Sequence, residues 1–283
     1  MFGDAVSPDT TVLGPGDEAD VAIVGGIHGD EPSGVRAVRR VVESNPELAR
    51  PVKLIVANPP AAASHRRYLD VDMNRVFPGD PDSPDRERRL ADALLSEIEG
   101  CGVVLSLHST HSYDDPITFV SRSHPTVQGL AARLPISHVV DPNDCISGSF
   151  AATAPVISVE AGRHLTERAT ENATEIVEAF LQLVDALPGD PPHVDTTFYE
   201  LDETVSKAPD TQYELLVENF TEVSAGTVVA RSDGNEFVAE EDFVPILMSE
   251  TGYPDILGYK GSIAGETLEE ARRTWDEGPI PAD

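Results

Sequence analysis

The chain has 283 residues, 40% of them hydrophobic, and carries 50 Asp and Glu against 20 Lys and Arg, a formal net charge of -30. That is enough apolar material for one large core or two domains; it excludes wholesale disorder, and no apolar run nears the ~20 residues that span a bilayer. The acid is spread along the whole length and the only lysines are Lys53, Lys207 and Lys260, a surface that repels nucleic acid and anionic membranes and fits the salt-loaded cytoplasm of a halophilic microbe.

Met1-Phe2-Gly3-Asp4 puts no basic region ahead of an apolar stretch, so a cytoplasmic protein is expected. Cys101 and Cys145 are too few for a disulfide framework and are expected as reduced thiols. The first two-thirds alternates strand and helix signals. Val21 to Val24 reads as a strand ended by Gly25 and Gly26. Pro32 to Glu43 reads as a helix with Val35, Val38, Val41 and Val42 on one face. Lys53 to Ala57 is the next strand. Ser83-Pro84 has the look of an N-cap and N1 proline, opening a helix through Leu90, Leu94 and Ile98 that stops at Gly100. Gly102 to Leu107 is a buried strand, and Ile117 to Ser121, Ile136 to Val140 and Pro155 to Val159 are further strands. A long helix spans Thr166 to Ala186. This alternation predicts an α/β domain over residues 1–190, a largely parallel sheet flanked by helices. After the break at Leu187-Pro188-Gly189-Asp190-Pro191-Pro192, short strands at Thr196 to Leu201, Tyr213 to Val217, Thr227 to Ala230, Glu236 to Ala239 and Phe243 to Met248 predict a smaller β domain over 195–283.

In parallel α/β sheets, ligands gather at the carboxyl ends of strands. Four residues with the right chemistry fall there: His28 and Glu31 after the first strand, His108 after Leu107, and Glu160 after Val159. Two imidazoles and a carboxylate form the usual three-ligand set of a catalytic zinc. Glu160 is then a spare carboxylate placed to act as a general base. Each residue alone has a plainer explanation, as a capping histidine or a carboxylate at a helix N-terminus; their conjunction makes the site. His111 competes with His108, which is preferred because it adjoins the strand. His65, His111, His124, His138, His164 and His193 read as structural or solvent-facing. The stretch from Asn58-Pro59 to Asp72-Met73-Asn74-Arg75 concentrates Arg66, Arg67 and Arg75 in a chain poor in basic residues. Guanidinium groups grip carboxylates and stabilise oxyanions. No Gly-x-Ser-x-Gly elbow occurs, which argues against a serine hydrolase.

Taken in order, Gly25-Gly26 with His28-Gly29-Asp30-Glu31, Asn58-Pro59 through Asp72-Met73-Asn74-Arg75, Leu107-His108 and Val159-Glu160-Ala161-Gly162 resemble the succinylglutamate desuccinylase/aspartoacylase family of the zinc carboxypeptidase-like superfamily. The resemblance covers most of the chain, because that family also carries a C-terminal β domain. It implies one zinc ion on His28, Glu31 and His108, with Glu160 activating water and Arg67 polarising the amide carbonyl. It further implies that Asn74 and Arg75 hold a substrate carboxylate, that Asn58 lines the same pocket, that Asp72 orients a ligand histidine, and that Tyr253 contacts the substrate. The expected activity is hydrolysis of the amide of an N-acyl amino acid or similar small molecule. The alternatives are a carboxypeptidase-like peptidase and a non-catalytic binding protein on the zinc fold. Aspartoacylases carry a further arginine about ten residues before the catalytic glutamate, whereas Cys145 to Ala152 contains none, so the resemblance does not name the acyl group or the amine.

Overall fold

The computed structural model describes residues 7–277 apart from Asp17 and Pro254; Met1 to Asp4, on which the expectation about export rests, lie outside the described residues. The elements run β1 (Asp9–Leu13), β2 (Val21–Gly25), α1 (Pro32–Ser44), β3 (Val52–Val56), α2 (Pro59–Ser64), α3 (Arg86–Glu97), β4 (Val103–Thr110), β5 (Ile117–Val120), α4 (Pro125–Ala131), β6 (His138–Asp141), α5 (Phe150–Thr153), β7 (Val156–Arg163) and α6 (Glu167–Leu183). They continue with β8 (Thr197–Ser206), β9 (Glu214–Leu215), β10 (Val228–Ser232), β11 (Asn235–Val238), β12 (Val244–Ile246), β13 (Ile256–Gly265) and α7 (Leu268–Glu277).

Ten strands form one sheet in the order β1-β3-β2-β4-β7-β5-β6-β8-β13-β12, and β11-β10-β9 form a separate antiparallel sheet. At the centre, β3, β2, β4 and β7 are all parallel. β5 enters antiparallel to β7, and β6 and β8 then follow β5 in parallel. This is the expected mixed, largely parallel sheet flanked by helices. The C-terminal segment supplies the small sheet and also extends the large one, because β8 pairs with β6, β13 with β8, and β12 with β13.

Side-chain alternation explains why the central strands are apolar throughout. All of β2 is buried. Val21 and Ile23 face a core shared with α1, α4, α6 and α7, whereas Ala22 and Val24 face one shared with α3 and Phe150. A strand covered by helices on both faces has no polar side. Leu90 and Leu94 of α3 are fully buried, each contributing roughly 1.5–3 kcal/mol. Two boundaries differ from expectation. α3 starts at Arg86, with Asp85 in the cap position and not Ser83. Ser83 Oγ is used by the Asp85 amide (3.2 Å), while the Arg86 amide donates to the Asp70 carboxylate (2.8 Å). His108 and Glu160 lie inside β4 and β7, opposite each other in register, because pairing continues beyond the apolar runs. Both cysteines are free. No helix among the described residues is long and apolar enough to cross a membrane.

Candidate active site

The turn from β2 into α1 passes through space that only glycine leaves open. Gly26 has φ +72°, and a Cβ there would meet a Val35 methyl at 2.7 Å; a Cβ on Gly29 would lie 2.0 Å from the Ala61 carbonyl carbon. The Gly29 amide donates to the Arg67 carbonyl (3.1 Å) and the Glu31 amide to that of His28 (3.3 Å). Glu31 stands at the N-cap of α1 with Pro32 behind it, yet its carboxylate makes no capping bond. The carboxylate instead turns inward.

There it meets both histidines. His28 Nδ1 is 2.7 Å from Glu31 Oε1, and His108 Nδ1 is 3.1 Å from Glu31 Oε2. The Ser109 amide donates to the same Oε2 at 3.2 Å. His28, Glu31 and His108 are buried, and their ligand atoms lie within 4.8 Å of one another, a group that could hold a metal ion. The other imidazole nitrogens are fixed as well. His28 Nε2 lies 3.1 Å from Asp72 Oδ1, and His108 Nε2 lies 3.1 Å from Ser106 Oγ. Such partners set the tautomer that leaves Nδ1 free to ligate. Burial alone would drive His28 neutral, but Glu31 and Asp72 outweigh it and raise its pKa to about 9. Burial likewise opposes ionisation of Glu31, and the two histidines overcome it and hold the carboxyl well below its usual range. A pocket that favours positive charge between these groups suits a divalent cation, and two nitrogens with one carboxylate suit zinc.

Glu160 lies beside this group, across the β4–β7 ladder from His108. Its Oε2 is buried and has no hydrogen-bond partner. Burial, opposed by His108 and assisted by Glu31, pushes its pKa up to about 7. An orphaned carboxylate oxygen next to a three-ligand group is what a proton-transfer partner for a water there requires.

The loop after α2 brings the arginines. Arg67 donates through Nη1 to Glu31 Oε1 (3.2 Å), through Nε to Asp72 Oδ2 (3.0 Å) and through Nη2 to Tyr253 Oη (3.1 Å). Asp72 thus orients both His28 and Arg67. Its carboxyl, although desolvated, is held far below the normal range by His28, Arg67 and Arg75. The Asn74 amide donates to Asp72 Oδ1 (2.9 Å), and Asn74 Oδ1 accepts from the Phe150 amide (2.9 Å). Asn58 does not line the cavity. It is fully buried, caps α2 by accepting from the Ala61 amide, and donates to Glu87 Oε1 (3.3 Å). Glu87 is the residue that motif reading misses. Its buried carboxylate also accepts from the amides of Leu69 (2.7 Å), Asp70 (3.0 Å) and Val71 (3.3 Å), clasping the loop between Arg67 and Asp72.

These groups open into a cavity of about 470 Å³. One wall comes from the C-terminal segment, including Leu247, Tyr253 and Tyr259. Tyr253 Oη accepts from both Arg67 and Arg75 (3.3 Å), and both guanidiniums lie over its ring, at 5.1 and 5.5 Å. His111, expected as structural, lines the cavity too, with its ring 4.5 Å from that of His164; it is His108 that reaches Glu31. His138 packs instead on Phe220, ring centroids 4.0 Å apart. In the arginine-free segment, Phe150 turns into the core and stacks on Phe77 at 5.0 Å, so this stretch sends no charge to the cavity.

Residues 17–184 match the family model of the succinylglutamate desuccinylase/aspartoacylase catalytic domain. Over 117 residues the chain is 33% identical to an aspartoacylase of Xenopus tropicalis, covering 40% of this chain and 36% of that protein. Over 119 residues it is 34% identical to the N-acyl-aromatic-L-amino acid amidohydrolase (carboxylate-forming) of Homo sapiens, covering 37% of each. The chain therefore spans little more than a third of the length of these relatives. Succinylglutamate desuccinylase/aspartoacylase from Rhodobacter sphaeroides superposes with a TM-score of 0.74 at 21% identity, over 90% of this chain and 89% of that one, which shows a common fold. With more than half of its residues matched to one catalytic domain, the chain belongs to the succinylglutamate desuccinylase/aspartoacylase family.

Proposed function

We propose that the protein is a zinc-dependent, cytoplasmic amidohydrolase that cleaves the amide of an N-acyl amino acid or a similar small amide. The observation that carries this reading is the buried grouping of His28, Glu31 and His108, with Glu160 opposite His108 and its Oε2 partnerless, beside a cavity that His28, Glu31 and Glu160 line. The printed activities of the aspartoacylase and amidohydrolase relatives support it.

His28, Glu31 and His108 would hold the zinc ion, which when bound would supply Lewis acidity to a water and to the amide carbonyl. Glu160, with a pKa near 7, takes a proton from water near neutral pH and delivers it to the leaving nitrogen. The water oxygen adds to the carbonyl carbon, the C–N bond breaks, and a carboxylate and an amine leave. Arg67 is held in place by Asp72 and Glu31, and its Nη2 becomes available to the developing oxyanion when Tyr253 yields. Asn74 and Arg75 hold the substrate carboxylate. Tyr253, beside both guanidiniums, contacts the substrate. Leu247, Tyr253 and Tyr259 of the C-terminal segment line a cavity of about 470 Å³, which supports a small amide over the peptidase alternative.

Purified protein should hold one zinc per chain by elemental analysis and hydrolyse members of an N-acetyl amino acid panel faster than peptides with free carboxyl ends. Chelation should abolish turnover and zinc restore it. Undiminished turnover by metal-free protein would contradict the reading, and faster cleavage of the peptides would favour the peptidase.

A further inference from the structure

Tyr253 reaches the cavity from a turn whose main chain is held by one side chain outside the cavity. Lys207 follows β8 and does not line the cavity. Its ammonium donates to the carbonyls of Glu250 (3.0 Å) and Tyr253 (3.1 Å), and its amide donates to the Asp255 carbonyl (2.8 Å). The Glu250 and Tyr253 carbonyls have no other hydrogen-bond donor among the described residues. Between them Gly252 sits at φ +98°, a left-handed conformation that glycine adopts freely. The ammonium therefore bridges the two ends of a tight turn. The chain has only three lysines, and this one serves main-chain carbonyls: it makes no ion pair among the described residues, although Asp255 and Glu250 lie near enough to favour its charge. At the far end of the same residue, the Tyr253 hydroxyl accepts from Arg67 (3.1 Å) and Arg75 (3.3 Å). Tyr253 is thus held by cations at both ends. The guanidinium bonds face the cavity and must exchange when a substrate enters; the Lys207 bonds do not. Without the ammonium, the two carbonyls turn to water, and ordering a looser turn around a ligand costs binding free energy.

We infer, on the hydrolase reading of this cavity, that Lys207 is a positioning residue: by bridging the Glu250 and Tyr253 carbonyls it fixes the turn that presents the Tyr253 ring to the substrate. It acts through Tyr253 and touches neither substrate nor metal-binding group.

Lys207→Met keeps an unbranched stem and removes the donors. In zinc-loaded protein acting on an N-acetyl amino acid, it should raise KM about three- to tenfold while kcat stays within about twofold, with zinc content unchanged. Lys207→Arg, which keeps the donors, should hold the wild-type KM. In a Tyr253→Ala background, Lys207→Met should cost nothing further, because its effect runs through the missing ring. Hydrogen exchange of the amides in 249–257 should be faster in Lys207→Met, a readout that needs no turnover. A wild-type KM in Lys207→Met, an equal rise in Lys207→Arg, or the same fold rise in the Tyr253→Ala background would overturn the inference. Affinity by titration calorimetry that falls in Lys207→Met, with no turnover by wild type, would keep the positioning role and overturn the hydrolase reading. Unchanged amide exchange together with no binding by wild type would overturn both.

Discussion

Glu87 shows how much of this site depends on a group that touches no ligand. Its carboxylate accepts from three successive amides of the arginine loop and from Asn58, and Asp70 in that loop returns a bond to the Arg86 amide. A buried carboxylate with this many donors is well satisfied, and removing an acceptor strands amides that are cut off from water. Glu87→Gln keeps shape but exchanges an acceptor for a donor. It should cost roughly 1–3 kcal/mol of stability and lower kcat more than it lowers zinc content, with Glu87→Ala worse in both respects. Unfolding curves and metal analysis on the same preparations check this; unchanged kcat in Glu87→Gln would show that the clasp is dispensable. His28, Glu31 and His108, the group that could hold a metal ion, stood out in the sequence because each lies next to an apolar strand and has few other reasons to be there. Glu87 was not legible, since an acidic residue in the first turn of a helix needs only the helix dipole to explain it. Asn58 was misleading for a related reason: its motif is local to the site, but its side chain serves the loop.

At the scale of elements, the strand–turn–helix unit from β2 to α1 sets the geometry of His28 and Glu31, two of the three residues that could hold a metal ion. Gly29 packs directly on the backbone of α2, so Gly29→Ala forces the turn and α2 apart. Overpacking of this kind costs about 1–3 kcal/mol. The larger effect should be on zinc, because His28 and Glu31 sit on either side of the displaced residue. A stoichiometric zinc content and a normal unfolding midpoint in Gly29→Ala would contradict that placement. The central strands and the helices α1 and α6 were legible because burial on both faces or one face leaves a clear period. Other elements escaped for physical reasons. β1 is an edge strand whose DTTVL sequence is half polar. β13 is interrupted by Gly258 and Gly261 and runs through register shifts against β8, which blurs its alternation. Among its described residues α7 buries only Ala271 and Trp275 amid charge, although that i, i+4 spacing could have marked it.

The whole molecule carries its net charge of -30 on a fold whose site is itself rich in carboxylates. Self-repulsion of this size opposes the compact state, and screening relieves it: the Debye length falls from about 10 Å at 0.1 M salt to about 3 Å at 1 M. The midpoint of thermal unfolding should therefore rise by on the order of 5 °C or more between those salt concentrations. A midpoint that is flat or falls with salt would remove the reading of salt adaptation. Composition gives the net charge directly. It could not reveal that the C-terminal segment, expected as a smaller β domain over 195–283 with Tyr253 at the substrate, also adds β8, β13 and β12 to the central sheet, because long-range pairing leaves no local pattern.

The proposed hydrolysis depends most directly on Glu160 as the group that moves the proton. Glu160→Gln should fold, bind zinc stoichiometrically and retain affinity for an N-acetyl amino acid, while kcat falls by about 10²–10⁴-fold. Wild-type kcat in a zinc-loaded Glu160→Gln variant would contradict it.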